Sequence, residues 1–167
     1  MCPLEPPKHT VVNVGMSEHQ VLQDPNVILA APGLGSCIAL ILYDPIIKVG
    51  GMVHVVLPDS NLGRDKTNPW KFADTAVPLL VATVCARGAL RGRLWAKIAG
   101  GAQMFTPVND LMNIGARNAD AVQAHLGKLN IRLTGCDVGG KSGRTVRAYL
   151  ADGRVTVKKV GGAETPL

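Results

Sequence analysis

A cysteine stands at a glycine-rich bend just before an apolar strand. The segment Ala31-Pro-Gly-Leu-Gly-Ser-Cys37 runs directly into the apolar run Ile38–Tyr43. Its two glycines release the backbone from the Cβ limits on φ, so successive N–H groups can converge on an anion. Such a nest lowers a thiol pKa or holds an oxyanion, and a thiolate is the nucleophile in cysteine catalysis. Cys37 is therefore the candidate nucleophile, with backbone oxyanion donors at Gly35 and Ser36.

A histidine interrupts the strand that returns from this one. A hairpin centred between Pro45 and Ile46 leads into the apolar run Val49–Leu57, which contains His54. This register sets Cys37 directly opposite His54. Residues that face each other across two strands have Cβ atoms roughly 4.5–5.5 Å apart, which a thiol and an imidazole can close to a hydrogen bond. The pattern predicts a Cys-His dyad.

The same two residues also have a purely structural interpretation. Free cysteine is among the most buried residue types, and a lone histidine on an apolar strand is commonly a core residue. The register is the weak step, because moving the turn centre by one residue moves the facing partner by two positions. From residue types and spacing alone, a catalytic dyad and a packing role both stay open.

Short runs of β-branched residues bounded by Gly, Pro or Asp predict eight strands. Asp152-Gly153, between the last two runs, predicts a two-residue type I′ turn, so those two strands should pair. The eight runs are Val11–Val14, Val27–Ala31, Cys37–Tyr43, Val49–Leu57, Leu94–Ala99, Ile131–Val138, Thr145–Ala151 and Arg154–Val160.

Two further segments have helical spacing. Apolar residues from Phe72 to Val84 form one stripe, and a second helix fits Arg117–Leu129. Pro78, within the first stripe, predicts a kink or a helix that begins near Thr75. Strands outnumber helices, which predicts an α+β fold of packed, largely antiparallel β-sheets flanked by two main helices.

The chain has 167 residues, which predicts a single domain over 1–167 with flexible tails at 1–10 and 161–167. The start has neither the basic nor the apolar region of a secretory signal, and Pro32 and Gly33 would break the longest uncharged tract as a helix. We therefore expect a cytoplasmic protein without membrane insertion. The four cysteines lie far apart without metal-ligand spacing, so the sequence predicts neither a metal site nor a disulfide framework.

Charge is distributed unevenly along the chain. Residues 1–86 carry five basic and seven acidic groups, whereas residues 87–167 carry thirteen basic and five acidic groups. This asymmetry indicates either a surface that meets an anionic partner or a solvated basic face. Aromatic residues make up only 4%, and no helix-turn-helix or zinc-finger spacing is present, which argues against nucleic acid as the partner.

Several blocks, in order along most of the chain, make the sequence resemble the CheD family of chemoreceptor glutamine deamidases. Together they are more specific than any one block. They are Gly33-Leu-Gly-Ser-Cys-Ile-Ala, Leu42-Tyr-Asp-Pro, Val49-Gly-Gly-Met-Val-His-Val-Val-Leu-Pro58, Phe72-Ala-Asp-Thr-Ala-Val-Pro78, Lys97-Ile-Ala-Gly-Gly-Ala-Gln-Met-Phe105, Ile114-Gly-Ala-Arg-Asn118 and Asp137-Val-Gly-Gly-Lys-Ser-Gly-Arg144.

The resemblance implies a cytoplasmic protein-glutamine glutaminase that converts chemoreceptor glutamine side chains to glutamate and releases ammonia. The family's catalytic cysteine and histidine fall on Cys37 and His54. Its partners are the cytoplasmic helices of chemoreceptors and CheC-type phosphatases, and its fold is similar to that of toxin deamidases of the cysteine hydrolase type. No cofactor is implied.

One position departs from the family pattern. Members have a third catalytic residue, a threonine six residues before the cysteine, where this chain has Ala31. Alanine cannot orient an imidazole by hydrogen bonding. The alternatives are that another group, such as a backbone carbonyl, fixes the His54 tautomer, that the enzyme is slow, or that the protein is an inactive adaptor that binds chemoreceptors or a CheC-type phosphatase.

Overall fold

The computed structural model describes residues 8–106 and 112–167. They form ten strands and two helices, numbered in chain order. The strands are β1 Thr10–Asn13, β2 His19–Leu22, β3 Val27–Leu34, β4 Ile38–Asp44, β5 Val49–Val55, β6 Trp95–Gly100, β7 Arg132–Val138, β8 Arg144–Tyr149, β9 Val155–Lys159 and β10 Glu164–Pro166. The helices are α1 Ala73–Ala86 and α2 Ile114–Lys128, and short 3-10 turns occur at Ser60–Leu62, Pro69–Lys71 and Arg91–Arg93.

The strands form two five-stranded sheets. The central sheet has the order β2-β5-β4-β6-β7, and the outer sheet has the order β1-β3-β8-β9-β10. Two neighbouring pairs, β1–β3 and β6–β7, are parallel, and the other pairs are antiparallel. The predicted α+β class, with packed and largely antiparallel sheets flanked by two helices, is confirmed.

The central sheet is buried on both faces. Leu40 and Leu42 on β4 pack in one core with α1 and α2, whereas Ala39 and Ile41 pack in a second core against the outer sheet. All seven residues of β4 are buried, which accounts for the continuous apolar run in the sequence. The first core anchors the helices, and the second contains Cys37.

The structure corrects several predicted boundaries. β2 and β10 were missing from the sequence prediction, since one is short and partly polar and the other follows Gly161-Gly162. Within the predicted C-terminal tail, β10 pairs with β9, and the backbone N–H of Leu167 donates to the carbonyl of Val155 at 2.9 Å. The predicted N-terminal tail, residues 1–10, lies largely outside the described residues.

Two local predictions also differ. The turn between β8 and β9 spans Leu150–Gly153, and only Gly153 in it has a positive φ, so it is not a two-residue type I′ turn. The predicted pairing of these two strands is confirmed. Helix α2 begins at Ile114, three residues before the prediction, because the side chain of Asn113 caps it by accepting from the N–H of Ala116 at 3.1 Å.

Candidate active site

The β4–β5 hairpin places Cys37 and His54 on the same side of the central sheet. Cys37 and Met52 both belong to the core between the two sheets. Because side chains alternate along a strand, His54, two residues after Met52, faces that core as well. The two candidate residues therefore share one face.

The predicted register of the β4–β5 hairpin is wrong, because the centre of its turn lies one residue later in the chain than predicted. Asp44 pairs with Val49 and Ala39 pairs with His54, so the hairpin is centred one residue later than the sequence suggested. The four-residue turn is stabilised by the Asp44 side chain, which accepts from the N–H of Ile46 at 2.9 Å. Cys37 is thus the diagonal neighbour of His54, at a Cα separation of about 7–8 Å in typical sheets.

The backbone around Cys37 is clamped to the end of β6. The carbonyls of Cys37 and Gly35 accept from the N–H groups of Gly101 and Ala102, both at 2.8 Å. Gly100 has a φ of +123°, and a Cβ there would overlap the carbonyl oxygen of Cys37. Only glycine fits at position 100. The close approach of Gly100 to the Cys37 carbonyl therefore positions the cysteine loop against the end of β6.

The backbone N–H groups of Gly35 and Ser36 have no hydrogen-bond partner among the described residues. Both lie directly before the candidate nucleophile, at a bend where β3 has ended and β4 has not begun. Unpaired N–H groups at such a bend are available to an anion.

The thiol of Cys37 lies in an apolar environment. The residue is 8% exposed, and burial raises the pKa of its thiol. The glycine bend in the sequence predicted that backbone N–H groups could lower this pKa. The pKa is instead raised, because desolvation disfavours the thiolate. In the free protein the candidate nucleophile is therefore a neutral thiol.

His54 has one ring nitrogen engaged and the other unpaired. Its Nδ1 donates to the carbonyl oxygen of Val14 at 3.1 Å. A carbonyl can only accept, so the proton sits on Nδ1 and the lone pair on Nε2. Nε2 is buried and has no hydrogen-bond partner among the described residues, Cys37 included. The structure thus presents an unused base on the face that carries the thiol.

Burial lowers the pKa of His54, and the Val14 hydrogen bond and the charge of Glu18 partly oppose this shift. The imidazole is therefore neutral at pH 7, the form that can accept a proton. A neutral thiol beside a neutral imidazole differs from a preformed thiolate–imidazolium pair.

The segment that supplies the Val14 carbonyl is braced on both sides. The N–H of Val14 donates to the carbonyl of Ala30 at 2.8 Å, and the Glu18 carboxylate accepts from the N–H of Gly15 at 2.8 Å. The N–H of His54 also donates to the carbonyl of Glu18 at 3.0 Å. A backbone carbonyl thus orients the ring, which was one of the alternatives left open by Ala31 in the sequence.

Asn118 on α2 joins the two strands of the site, and the sequence did not single it out. Its Nδ2 donates to the carbonyls of Ser36 and Val56, both at 2.9 Å, and its side chain is fully buried. Ser36 directly precedes Cys37. Because Ile38 pairs with Val55, the next pair outward places Val56 opposite Cys37. Its Oδ1 has no partner among the described residues. The available signal was a short polar side chain on the inward face of an amphipathic helix.

Two depressions flank the cysteine loop. One, of about 240 Å³, is lined by Ser36, Met104 and the first residues of α2. The other, of about 510 Å³, is lined by Gly33 and Gly35 together with residues of β8 and β9. Within residues 8–106 and 112–167, no three His, Cys, Asp or Glu side chains lie close enough to hold a metal ion together.

The fold and site define a class of protein: two packed sheets with flanking helices, in which a buried cysteine on a glycine loop shares a face with a neutral histidine. The hypothetical protein YfiH of Bacillus licheniformis is similar in fold, with a TM-score of 0.50 and 15% identity over 74% of this chain. The chain spans 51% of the length of that protein. At this identity the likeness concerns the fold alone.

The chain belongs to the CheD family. The family described as CheD chemotactic sensory transduction matches residues 56–159, a span that begins just after His54. A probable chemoreceptor glutamine deamidase CheD of Symbiobacterium thermophilum is 48% identical over 92% of this chain and 95% of its own length. The chemoreceptor glutamine deamidases CheD of Thermotoga maritima and Halalkalibacterium halodurans are 48% and 46% identical over 90% and 92% of this chain, and 93% and 96% of their own lengths.

The family expectation from the sequence is confirmed. Among the described residues, neither helix has the length and apolar character needed to cross a bilayer.

Proposed function

We propose that this protein is a chemoreceptor glutamine deamidase that hydrolyses glutamine side-chain amides to glutamate and ammonia. Relatives at 46–48% identity over nine-tenths of the chain carry that name. The observation that carries the proposal is the unpaired Nε2 of His54, fixed as a proton acceptor on the same face as Cys37. Cys37 is the proposed nucleophile and His54 the proposed general base.

The reaction is an acyl transfer in two halves. Nε2 of His54 takes the thiol proton as Sγ of Cys37 attacks the amide carbon, forming a carbon–sulfur bond and a tetrahedral oxyanion. The N–H groups of Gly35 and Ser36 donate to this oxyanion. In comparable sites one such donor contributes about 3–4 kcal/mol to transition-state stability.

The first half ends when the imidazolium returns its proton to the amide nitrogen and ammonia leaves, with a thioester on Cys37. His54 then deprotonates a water molecule, which attacks the thioester carbon. The carbon–sulfur bond breaks, the thiol regains its proton and glutamate is released. Neither a metal nor an organic cofactor takes part in these steps.

The buried, neutral state of both groups fits this sequence of steps. A thiol with a raised pKa does not ionise until a neighbouring base accepts its proton in the attack itself. Because the imidazole is already neutral and tautomerically fixed, no reorganisation of the ring is needed first. The diagonal placement of the two residues requires Sγ to approach Nε2 by a side-chain rotation when substrate binds.

The proposed substrate is the helical cytoplasmic part of a chemoreceptor, which sets the proposed location in the cytoplasm. A CheC-type phosphatase is a proposed second partner. The names of the relatives support the receptor as a partner, and the excess of basic residues from residue 87 onward supports an acidic surface on either proposed partner.

A catalytically weak or inactive adaptor is the second candidate, and two observations favour it. Ala31 is fully buried and has no hydroxyl, and the thiol makes no hydrogen bond to His54 in the free protein. Such a protein would bind receptors or a CheC-type phosphatase without turnover.

Incubation with a receptor cytoplasmic fragment, followed by mass spectrometry of its glutamines, separates the two functions. The enzyme converts defined glutamines to glutamate, and both Cys37→Ala and His54→Gln abolish the conversion. Glu18→Gln is a matched control near the site that keeps a hydrogen-bond acceptor and should retain turnover at pH 7, where the imidazole of His54 is neutral in both proteins. Receptor binding without conversion by the wild type supports the adaptor, and conversion that persists in Cys37→Ala refutes the assignment of the nucleophile.

A further inference from the structure

We infer that a basic groove beside the cysteine loop binds carboxylates that flank the target glutamine, so that the protein selects acidic segments of its substrate. The inference rests on the proposed function. The basic groove is the depression of about 510 Å³ whose lining includes Gly35, Arg147, Lys158, Lys159 and Val160.

The groove adjoins the loop that carries the proposed nucleophile. Gly35 forms part of its wall and lies two residues before Cys37. Strand pairing keeps the other wall close by, since Leu34 of β3 pairs with Arg144 of β8, which pairs with Lys159 of β9. A polypeptide with its glutamine at Cys37 would therefore extend its neighbouring residues along this groove.

Positive charge dominates the lining. It includes four basic side chains and no acidic one. Arg144 is buried and paired with Asp137, which also contacts Lys159 at 3.1 Å. Arg144 additionally donates to the carbonyl of Gly139, so its role is to hold the loop between β7 and β8.

The remaining basic groups exceed the carboxylates near them. Arg147 lies 3.5 Å from Glu164, which also faces Lys158 across the β9–β10 pair. The side chains of Arg147 and Lys159 are 34% and 52% exposed, and Lys158 is exposed as well. Two carboxylates, Asp137 and Glu164, therefore stand against four cations, which leaves a net positive potential in the groove.

The shape of the groove suits a chain segment. Its volume lies within the range of about 300–1,000 Å³ that is typical of ligand sites and exceeds what one side chain needs. Several lining residues, among them Gly33, are glycines, whose lack of a side chain leaves the groove open. An added Cβ at Gly33 would meet no atom within 4 Å. The exposed side chains of Met104 and Val160 offer apolar contact beside the cations. An acidic segment with small or apolar neighbours complements both features.

The test uses peptides with one glutamine flanked by glutamates, by uncharged residues or by lysines. For the wild type we expect kcat/KM to be highest for the acidic peptide, with an advantage that shrinks as salt is added. Arg147→Gln and Lys158→Gln should each lower kcat/KM for the acidic peptide about twofold to fivefold, the worth of one exposed ion pair. Turnover of the uncharged peptide should not change.

Charge reversal and a distant control sharpen the result. Lys158→Glu should shift the preference toward the lysine peptide. Lys128→Gln removes an exposed lysine at the far end of α2, about 21 Å along the helix from the end beside Ser36, and should change nothing. Equal kcat/KM for the three peptides, or an acidic preference that survives both groove variants, overturns the inference.

Binding separates this inference from the proposed function. Fluorescence anisotropy of the same labelled peptides with Cys37→Ala reports on the groove without turnover. Charge-selective binding that Lys158→Glu reverses, with no deamidation by the wild type, supports the groove and refutes the enzyme. Deamidation without charge selectivity in either assay supports the enzyme and refutes the groove.

Discussion

Replacing Asn118 should damage both the stability and the reactivity of the site. Its Nδ2 donates to two backbone carbonyls, at Ser36 and Val56, and the side chain is fully buried. In Asn118→Ala both carbonyls lose their donor, at a cost of about 1–3 kcal/mol each when no water replaces it. We expect the free energy of unfolding to fall by about 2–6 kcal/mol, out of roughly 5–15 kcal/mol for a typical domain.

Asn118→Asp removes the amide donor while keeping the volume of the side chain, so it tests the two hydrogen bonds alone. It keeps the shape but points carboxylate oxygens at Ser36 and Val56, so the buried carboxyl must take up a proton to fold. Its pKa is then raised in the folded state, and the added destabilisation appears as pH rises above about 4, the pKa of an unfolded aspartate. At pH 7 this variant should be no more stable than Asn118→Ala.

The assay is urea unfolding of each variant, together with the rate of Cys37 alkylation below the unfolding transition. Alkylation should change in both variants, because the loop that presents the thiol loses its anchor. Gln123→Ala, a change at an exposed amide of the same helix, should stay within about 0.5 kcal/mol of the wild type. Wild-type stability of Asn118→Asp at pH 7 would refute the reasoning.

Five further outcomes follow from the site. Because burial lowers the pKa of His54, turnover should persist as pH falls below about 6.5 and decline only at the lower folded-state pKa; a decline centred above 6.5 contradicts this. Between these two pKa values the imidazole is protonated in the unfolded chain but not in the folded protein. Unfolding titrations should therefore show that the free energy of unfolding decreases as the pH is lowered. Glu18→Gln removes a charge that raises this pKa and should move the acid limb of the pH–rate profile to lower pH, and a move to higher pH counts against it. Alkylation of Cys37 by iodoacetamide should still accelerate above about pH 8.5, whereas a plateau at neutral pH would indicate a preformed ion pair. Gly100→Ala should cost about 2 kcal/mol or more in thermal unfolding, and Gly92→Ala, where an added Cβ meets nothing within 4 Å, should be silent; equal stability of the two variants contradicts the proposed clamp.

The sequence predicted the fold wherever an element is long and apolar. β4 and β5 are buried on both faces, so their continuous apolar runs were recognisable without any partner. β2 was not recognisable, because four residues with mixed burial carry no periodic signal. β10 exists only through its pairing with β9, a tertiary contact that local composition cannot reveal.

The structure places the two predicted residues, Cys37 and His54, on one face of the sheet, but in a register that differs from the predicted one. Cys37 and His54 were identified from the glycine bend and the interrupted strand, but the register depends on turn geometry. The Asp44 side chain and the positive φ of Lys48 favour a four-residue turn, and this moves the residue facing His54 to Ala39. Asn118 and Val14 act from other elements of the chain, so no local pattern could have named them as partners.

A main-chain oxygen, and not a side chain, accepts the hydrogen bond that orients the imidazole of His54. The Val14 oxygen is present whatever side chain position 14 carries, so single substitutions there leave the ring its acceptor as long as the segment stays in place. What ring orientation requires is that the segment keep its attachment to Ala30 beside the parallel β1–β3 pair. The orientation of the His54 ring in this chain therefore depends on where this segment lies and not on a side-chain hydroxyl at position 31.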